Sequence, residues 1–331
     1  MQLLYLLFQG CLLTYTAMDT QLVEKVLAGD VKAASRLMRD IDDAAPDTAI
    51  HLKRLYPHTE HAHIIGLTGA PGAGKSTLMD GMIQHLRRQG KTIGVLAIDP
   101  TSPYSGGAIL GDRIRMQRHA NDSAVFIKSI ATRGHMGGLS QSAFGITTVM
   151  AAMGKDVILI ETVGVGQDET DIIRLAHTTV VVVTPGMGDG IQAVKSGILE
   201  TADIFALNKS ELEGSETTLD EIKMMLNMRQ GQKHDWEPQV VKTVALRGQG
   251  IDGLLRQVQN HWNFIETKGL KGYWQQKART EMMIHFRRLL MERSLSMLNP
   301  GQTCQAMVDR ILDHEVDPYT AAAELVAQVL K

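Results

Sequence analysis

The stretch GLTGAPGAGKSTLM, residues 66–79, carries the pattern GxxxxGK[ST] at Gly69, Ala70, Pro71, Gly72, Ala73, Gly74, Lys75 and Ser76. An apolar run, IIGLT, precedes it and a helical run, STLMDGMIQHLRRQG, follows it, which is the setting a phosphate-binding loop requires. Glycines let backbone N–H groups turn inward around phosphates, and the start of the following helix adds a favourable dipole. Lys75 can then reach the β- and γ-phosphates and Ser76 can ligate Mg²⁺. With Thr77, these residues form the expected nucleotide-binding set. Such a loop names a substrate class, a nucleoside triphosphate, and leaves its purpose open among kinases, transport ATPases and signalling GTPases.

Outward from the loop, short β-rich runs alternate with longer amphipathic segments from Ile64 to about Asn260: IIGLT, TIGVLAI, AVFIKSI, DVILIET, TVVVVT, ADIFALN and QVVKTVA. Several are apolar at consecutive positions, as strands covered on both faces must be. The alternation predicts a three-layer α/β domain on a mainly parallel sheet. Before it, Leu22, Val26, Leu27, Val31, Ala34 and Leu37 recur at helical spacing, giving two short helices that meet near Gly29 and Asp30,. YPHTEHAH, residues 56–63, reads as a connector. Beyond Gly269 the pattern is helical to the end, with a break at Asn299-Pro300-Gly301. The expected organisation is an extension at 1–17, a helical region at 18–57, the nucleotide-binding domain at 58–265 and a helical region at 266–331.

The 331 residues hold 44% apolar and 21% charged side chains, ordinary for a globular chain that folds without staples,. A formal net charge of −2 leaves no basic footprint for nucleic acid,. Two cysteines, Cys11 and Cys304, build neither a disulfide framework nor a CxxC metal site, which points to a reducing compartment, the cytoplasm. The apolar opening MQLLYLLFQGCLLTYTA lacks a basic n-region and falls short of a membrane span, so no membrane partner is expected,. Residues 1–17 are expected to be a mis-assigned start, with Met18 opening the functional protein; a targeting segment or an extra packed helix are the alternatives.

A Mg²⁺-triphosphate site needs carboxylates at neighbouring strand ends, because hard cations take oxygen ligands. VLAIDP places Asp99 after a buried run, and VILIETVGVGQ places Glu161 likewise. Gly164 and Gly166 then allow a loop able to sense a γ-phosphate, and Gln167 is positioned to orient an attacking water. Asp112, in GGAILGDRIRM, is a further candidate for metal or water. For each acid the alternative is a helix cap or a solvated carboxylate. Base recognition is expected in ADIFALNKSELEG, where Asn208-Lys209-Ser210-Glu211 has the form of a guanine-reading NKxD turn. Glutamate keeps the acceptor fork on a stem one methylene longer than aspartate, so guanine stays favoured over adenine. A backbone contact to the guanine oxygen falls around Ala245 and Leu246.

Taken in order, GAPGAGKSTL, AIDPTSPYSGGAILGDRIRM, GHMGG, ETVGVGQDE, GDGIQAVKSGILETADI and NKSE resemble the MeaB/ArgK group of GTPases, bacterial relatives of the human methylmalonic aciduria type A protein. The similarity covers roughly residues 19–330. It implies a SIMIBI-like P-loop fold and a GTP-hydrolysing chaperone for an adenosylcobalamin-dependent methylmalonyl-CoA mutase or a related acyl-CoA mutase. Such a chaperone gates cobalamin loading and protects or reactivates the enzyme; the cobalamin belongs to the partner. The family's metal and switch acids fall on Asp99, Asp112 and Glu161, its phosphate lysine on Lys75, and its partner-sensing switch on Gln192 and Lys195. The family's C-terminal helices form a homodimer and match the tail after Gly269. Two departures bear on the base: Glu211 replaces the NKxD aspartate, and Val244-Ala245 replaces a Ser-Ala pair.

Rival readings are a small-molecule kinase, with Arg113, Arg115, Arg118 and Arg133 as a lid, and a metal-delivery GTPase, with His58, His61 and His63 as ligands. The plainer readings are solvated faces or partner contacts for the arginines and a polar loop for the histidines.

Overall fold

The structure, a computed structural model, describes residues 21–100, 117–119, 121–132, 138–162, 175–186, 202–228, 236–267, 271–297 and 300–329. Asp112, Gln167, Gln192 and Lys195 lie outside them, and Asp99 is described by its backbone alone.

All seven apolar runs are strands: β1 His63–Gly69, β2 Ile93–Pro100, β3 Val125–Thr132, β4 Val157–Glu161, β5 Thr178–Val183, β6 Ile204–Leu207 and β7 Gln239–Lys242. They form one sheet in the order β3-β2-β4-β1-β5-β6-β7, with every neighbouring pair parallel. The period-two geometry of a strand explains the consecutive apolar residues. On β4, Ile158 and Ile160 join a core on one face, while Val157 and Leu159 join the core on the other. On β5, Val180 and Val182 face one core and Val181 and Val183 another. Fully burying each such aliphatic side chain contributes roughly 1.5–3 kcal/mol, so the two-sided strands hold the sheet between the cores on its two faces.

One face is covered by α3 (Lys75–Arg88) and α6 (Ile251–Thr267), through Leu78, Met82, Leu254 and Val258. The other is covered by α4 (Gly138–Ala152), which packs in turn on α1 (Val31–Asp42). Residues 21–27 are helical, and Val23 and Val26 enter the same core. The Asp30 carboxylate caps α1 by accepting from the Ala33 N–H at 2.8 Å,. A further helix, α2 (Thr48–Leu55), buries Leu55 in this core, and α5 (Ser215–Met228) covers β5 and β6 through Ile222.

The connector reading of residues 56–63 is corrected at its end. His63 opens β1 and is buried; its Nε2 lies 2.8 Å from Thr178 Oγ1 and its ring stacks on Trp262. Polar sequence neighbours hid a histidine that the start of a central strand carries inward. His58 is exposed, and no group of three His, Cys, Asp or Glu side chains among the described residues is disposed to hold a metal.

The chain divides into two compact units, Met1–Leu270 and Lys271–Lys331. The second contains α7 (Lys271–Met297), α8 (Pro300–Leu312) and α9 (Pro318–Val329), with Arg310 of α8 bonded to Glu324 of α9 at 2.7 Å. Among the described residues, no helix is long and apolar enough to cross a membrane.

Candidate functional site: a phosphate loop and a base-reading turn

The central strand β1 lies between β4 and β5; the connection out of β1 runs to β2 on one side of it, whereas the connection out of its neighbour β5 runs the opposite way, to β6. The carboxyl end of β1 is therefore a topological switch point, where open α/β sheets bind ligands. Residues 70–74 emerge there. Gly69 has φ +138°, and a Cβ on it would lie 2.2 Å from the Val182 carbonyl oxygen of β5, so only glycine lets the loop leave the strand this close to its neighbour. Gly74, at φ +90°, caps α3 with no side-chain hydrogen bond. The first N–H groups of α3 thus open onto the loop without a side-chain cap, as an anion site requires.

Lys75 is buried, and its ammonium donates to the Gly69 carbonyl at 2.8 Å and the Ala70 carbonyl at 3.2 Å. It is folded back along its own loop, where phosphate oxygens would compete with those two carbonyls. Ser76 is buried beside it, and its hydroxyl donates to Glu161 Oε1 at 2.7 Å. Glu161 ends β4 in register with Leu67 of β1 and Ala97 of β2. Asp99 follows Ala97 on β2, its backbone in register with Ala131 of β3. Thr162 continues the array: its N–H donates to the Leu67 carbonyl at 3.3 Å, and its hydroxyl reaches Thr68 Oγ1 at 3.5 Å. A hydroxyl and a carboxylate in contact beneath a phosphate loop form a hard-oxygen donor set suited to Mg²⁺.

Asn208 joins three loops. Its Nδ2 donates to the Ala73 carbonyl at 2.8 Å, and its Oδ1 accepts from the Ala245 N–H at 3.0 Å and the Thr243 hydroxyl at 3.2 Å. Lys209, at φ +56°, donates across to the Gly72 carbonyl at 2.9 Å. Glu211 is exposed in the same turn, and Leu246 is exposed in the short turn Ala245–Arg247. The phosphate loop and the loops at 208–211 and 243–246 are therefore one hydrogen-bonded body. The Ala245 N–H, placed near the guanine oxygen by the sequence reading, is occupied by Asn208. Sequence reasoning missed Thr243, a hydroxyl one position before the expected Val244-Ala245 pair. The strand run QVVKTVA contained it, but no local pattern marks a threonine that bonds 35 residues back.

The arginine reading is also corrected in part. Arg118 is not simply a solvated side chain: its guanidinium is paired with the Asp80 carboxylate of α3, and His119 Nε2 lies 2.8 Å from Asp80 Oδ1.

Fold and site together define a P-loop nucleotide hydrolase whose loop is tied to the Asn208-Lys209 turn. The family model "Methylmalonyl Co-A mutase-associated GTPase MeaB" matches residues 35–299, and the chain belongs to that family of GTPases. A relative in Pyrococcus horikoshii carrying a GTPase name is 40% identical over 319 residues, covering 94% of this chain and 98% of its own. The mouse protein "Methylmalonic aciduria type A homolog, mitochondrial" is 31% identical over 271 residues, 74% of this chain and 64% of its own. The solved structure of "LAO/AO transport system kinase" superposes with a TM-score of 0.70 at 21% identity, covering 95% of this chain and 98% of that one, a likeness of fold. The protein is a GTP hydrolase that binds guanine nucleotide.

Proposed function

We propose that this GTPase is a chaperone of an adenosylcobalamin-dependent methylmalonyl-CoA mutase or a related acyl-CoA mutase, gating cofactor loading and protecting or reactivating the enzyme. The observation that carries the reading is the buried Ser76–Glu161 contact. It joins the phosphate loop to the strand end from which residues 163–174 continue, so occupancy of the loop is felt at the start of that segment,. The family's association with methylmalonyl-CoA mutase supplies the partner class.

In this mechanism the triphosphate draws Lys75 from the Gly69 and Ala70 carbonyls, and the loop N–H groups and the α3 N-terminus take its charge,. Ser76, Glu161, Asp99 and Asp112 would hold Mg²⁺, which when bound neutralises charge on the β- and γ-phosphate oxygens. Asp112 or Gln167 orients the attacking water. Asn208, Lys209 and Glu211 read the base, with Ala245 and Leu246 beside it. Gln192 and Lys195 report nucleotide state to the mutase. Loss of the γ-phosphate removes the contacts that order the loops, which resets access to the partner's cobalamin.

The protein acts in the cytoplasm as a homodimer through its C-terminal helices. Exposed Met282, Phe286 and Leu289 on α7 support that reading, since apolar side chains four and three residues apart share a helix face,.

The deciding measurement is GTP turnover with and without purified mutase. Acceleration by the mutase, together with nucleotide-dependent co-purification, is the expected result. Unchanged hydrolysis and unchanged nucleotide affinity would reject the chaperone role. Transfer of the γ-phosphate to an added acceptor would replace it with a kinase.

A further inference from the structure

A glycine stands in the interior of α3, where helix propensity favours almost any other residue,. Gly81 follows Lys75 by six residues, a rise of about 9 Å along the helix,. A Cβ built on it would meet Ile251 Cδ1 at 2.2 Å, with Ile251 Cγ1 at 3.6 Å. The isoleucine's terminal methyl thus stands where a side chain at position 81 would be. Ile251 is the first residue of α6 and is buried. It belongs to the same apolar cluster as Ala73 of the phosphate loop, Leu78 and Met82 of α3, and Ala245.

The chain that leads into Ile251 has little slack. Between β7 and α6 it makes a closed loop, residues 243–250, whose two sides are bridged: the Val244 N–H donates to the Gln249 carbonyl at 3.0 Å, and the Gln249 N–H to the Val244 carbonyl at 3.2 Å. Gly250 has φ +78°, and a Cβ on it would lie 2.1 Å from the Lys242 carbonyl oxygen, so the end of the loop is pressed against the strand that enters it. The loop's start is tied to β6 and the turn after it. There the Thr243 N–H donates to the Leu207 carbonyl at 2.8 Å, and the Thr243 carbonyl accepts from the Ser210 N–H at 3.1 Å. A shift of Ile251 is therefore not absorbed beside it. It passes to the loop as a whole, including Ala245 and the exposed Leu246, because close-packed interiors transmit strain,.

We propose that Gly81 is a positioning residue for guanine discrimination: by leaving room for Ile251 it fixes the distance between the phosphate loop, at the start of α3, and the loop 243–250. The inference rests on the reading that Ala245 and Leu246 lie beside the base. Gly81 touches no part of the nucleotide; it acts through Ile251 and the loop that Ile251 closes. A nucleotide spans the two loops, with its phosphates in one and its base at the other. Phosphates are common to every nucleoside diphosphate, and only the base end tells guanine from adenine. Displacement of the loop 243–250 is therefore felt first as lost selectivity.

The test uses full-length Gly81→Ala, Ile251→Val, the double Gly81→Ala/Ile251→Val, Leu254→Ala and Leu246→Asp. Each is titrated with fluorescent GDP and fluorescent ADP and followed by thermal melting. Gly81→Ala is expected to lower the preference for GDP over ADP roughly tenfold, the scale of one weakened hydrogen bond. Ile251→Val removes Cδ1, the atom in conflict. The double variant is expected to recover the wild-type preference, the non-additivity of two residues in contact. Leu254→Ala, about one turn further along α6 in the same core, is expected to lower the midpoint and leave the preference unchanged,.

Wild-type preference in Gly81→Ala would overturn the proposal. So would a double variant that recovers nothing, or a Leu254→Ala that loses preference in step with its midpoint. Leu246→Asp tests the underlying reading separately, since Leu246 is 85% exposed and its replacement leaves the core intact. A carboxylate there opposes the guanine oxygen and suits the adenine amino group, so the preference for GDP should fall. An unchanged preference in Leu246→Asp would reject the reading that the loop lies beside the base, and the proposal with it. A fall in Leu246→Asp beside wild-type behaviour in Gly81→Ala would reject the proposal alone. Should Gly81→Ala not fold, Ile251→Ala empties the contact from the other side. It is expected to lose preference where Leu254→Ala keeps it, and a wild-type preference there would overturn the proposal.

Discussion

The Ser76 hydroxyl donates to Glu161 Oε1 across 2.7 Å, joining the first turn of α3 to the end of β4. Both residues are buried, so the contact is little weakened by solvent,. Glu161→Gln keeps the size of the side chain and removes its charge. An amide also presents the Ser76 hydroxyl with a weaker acceptor and Mg²⁺ with a poorer ligand. The expected result is GDP affinity that no longer responds to added Mg²⁺ and GTP turnover at least about a hundredfold lower, the scale of losing an electrostatic element of a site. Isothermal titration with GDP, with Mg²⁺ and with chelator, checks the first; phosphate release checks the second. Retained Mg²⁺ dependence would remove Glu161 from the metal set.

Asn208 offers a different prediction, since its amide serves the Ala73 carbonyl, the Ala245 N–H and the Thr243 hydroxyl together. Asn208→Ala leaves buried groups without partners at about 1–3 kcal/mol each, less than additively. Both the melting midpoint and GDP affinity should fall, the latter by tenfold or more. Asn208→Asp keeps the acceptor for Ala245 but sets a carboxylate against the Ala73 carbonyl, so it should lose nucleotide affinity as well. Normal GDP binding in Asn208→Asp would show that the amide donor is dispensable.

The loop glycines separate steric need from conformational preference. Gly69→Ala places a Cβ 2.2 Å from the Val182 carbonyl oxygen, a backbone atom in the middle of the sheet. Gly72 has φ +77° and nothing within 4 Å of an added Cβ, so Gly72→Ala costs only the left-handed backbone, about 1–2 kcal/mol. Gly69→Ala should therefore abolish GDP binding and lower the midpoint sharply, whereas Gly72→Ala should fold and bind with a modest loss. Differential scanning and fluorescent-GDP titration compare the two. Equal effects would place the constraint in the backbone angle alone.

What the sequence disclosed divides along a physical line. The seven strands were legible because a two-sided core writes itself as consecutive apolar residues, as in Val157 to Ile160. The phosphate loop was legible because its glycines, lysine and serine are contiguous. Glu161 was legible by the same logic, as an acid at the end of a buried run. Contacts that depend on the order of strands were not. Thr243 meets Asn208, and Asp80 meets His119, only after crossovers have brought distant elements together. His63 looked like part of a polar loop because its neighbours are polar, yet Thr178 and Trp262 receive it in the interior. Charged and hydroxylic residues carry no periodicity that distinguishes a buried partner from a solvated face.

The last prediction concerns the opposite end of the sheet, where His63, Thr178, His261 and Asp203 form a chain. His261 Nε2 lies 3.3 Å from Asp203 Oδ1 and its Nδ1 2.9 Å from the Thr178 hydroxyl, which lies 2.8 Å from His63 Nε2. A neutral His261 that donates from Nε2 to Asp203 accepts at Nδ1, so Thr178 donates to it and accepts from His63. Burial lowers the His261 pKa from the ordinary 6.5 to about 4. The folded state thus binds its proton more weakly than the unfolded chain does. The resulting stability is complete above pH 6.5 and is lost as pH falls toward about 4, amounting to about 3 kcal/mol over that window. Protonated His261 also turns Nδ1 into a donor and breaks the direction of the chain. His261→Gln keeps polar groups at this place and removes the titration. It should be less stable at neutral pH yet lose less stability than the parent on acidification from pH 7 to 4, when both are followed by urea unfolding. Parallel pH profiles for the two proteins would show that His261 does not titrate with folding and that the acid sensitivity lies elsewhere.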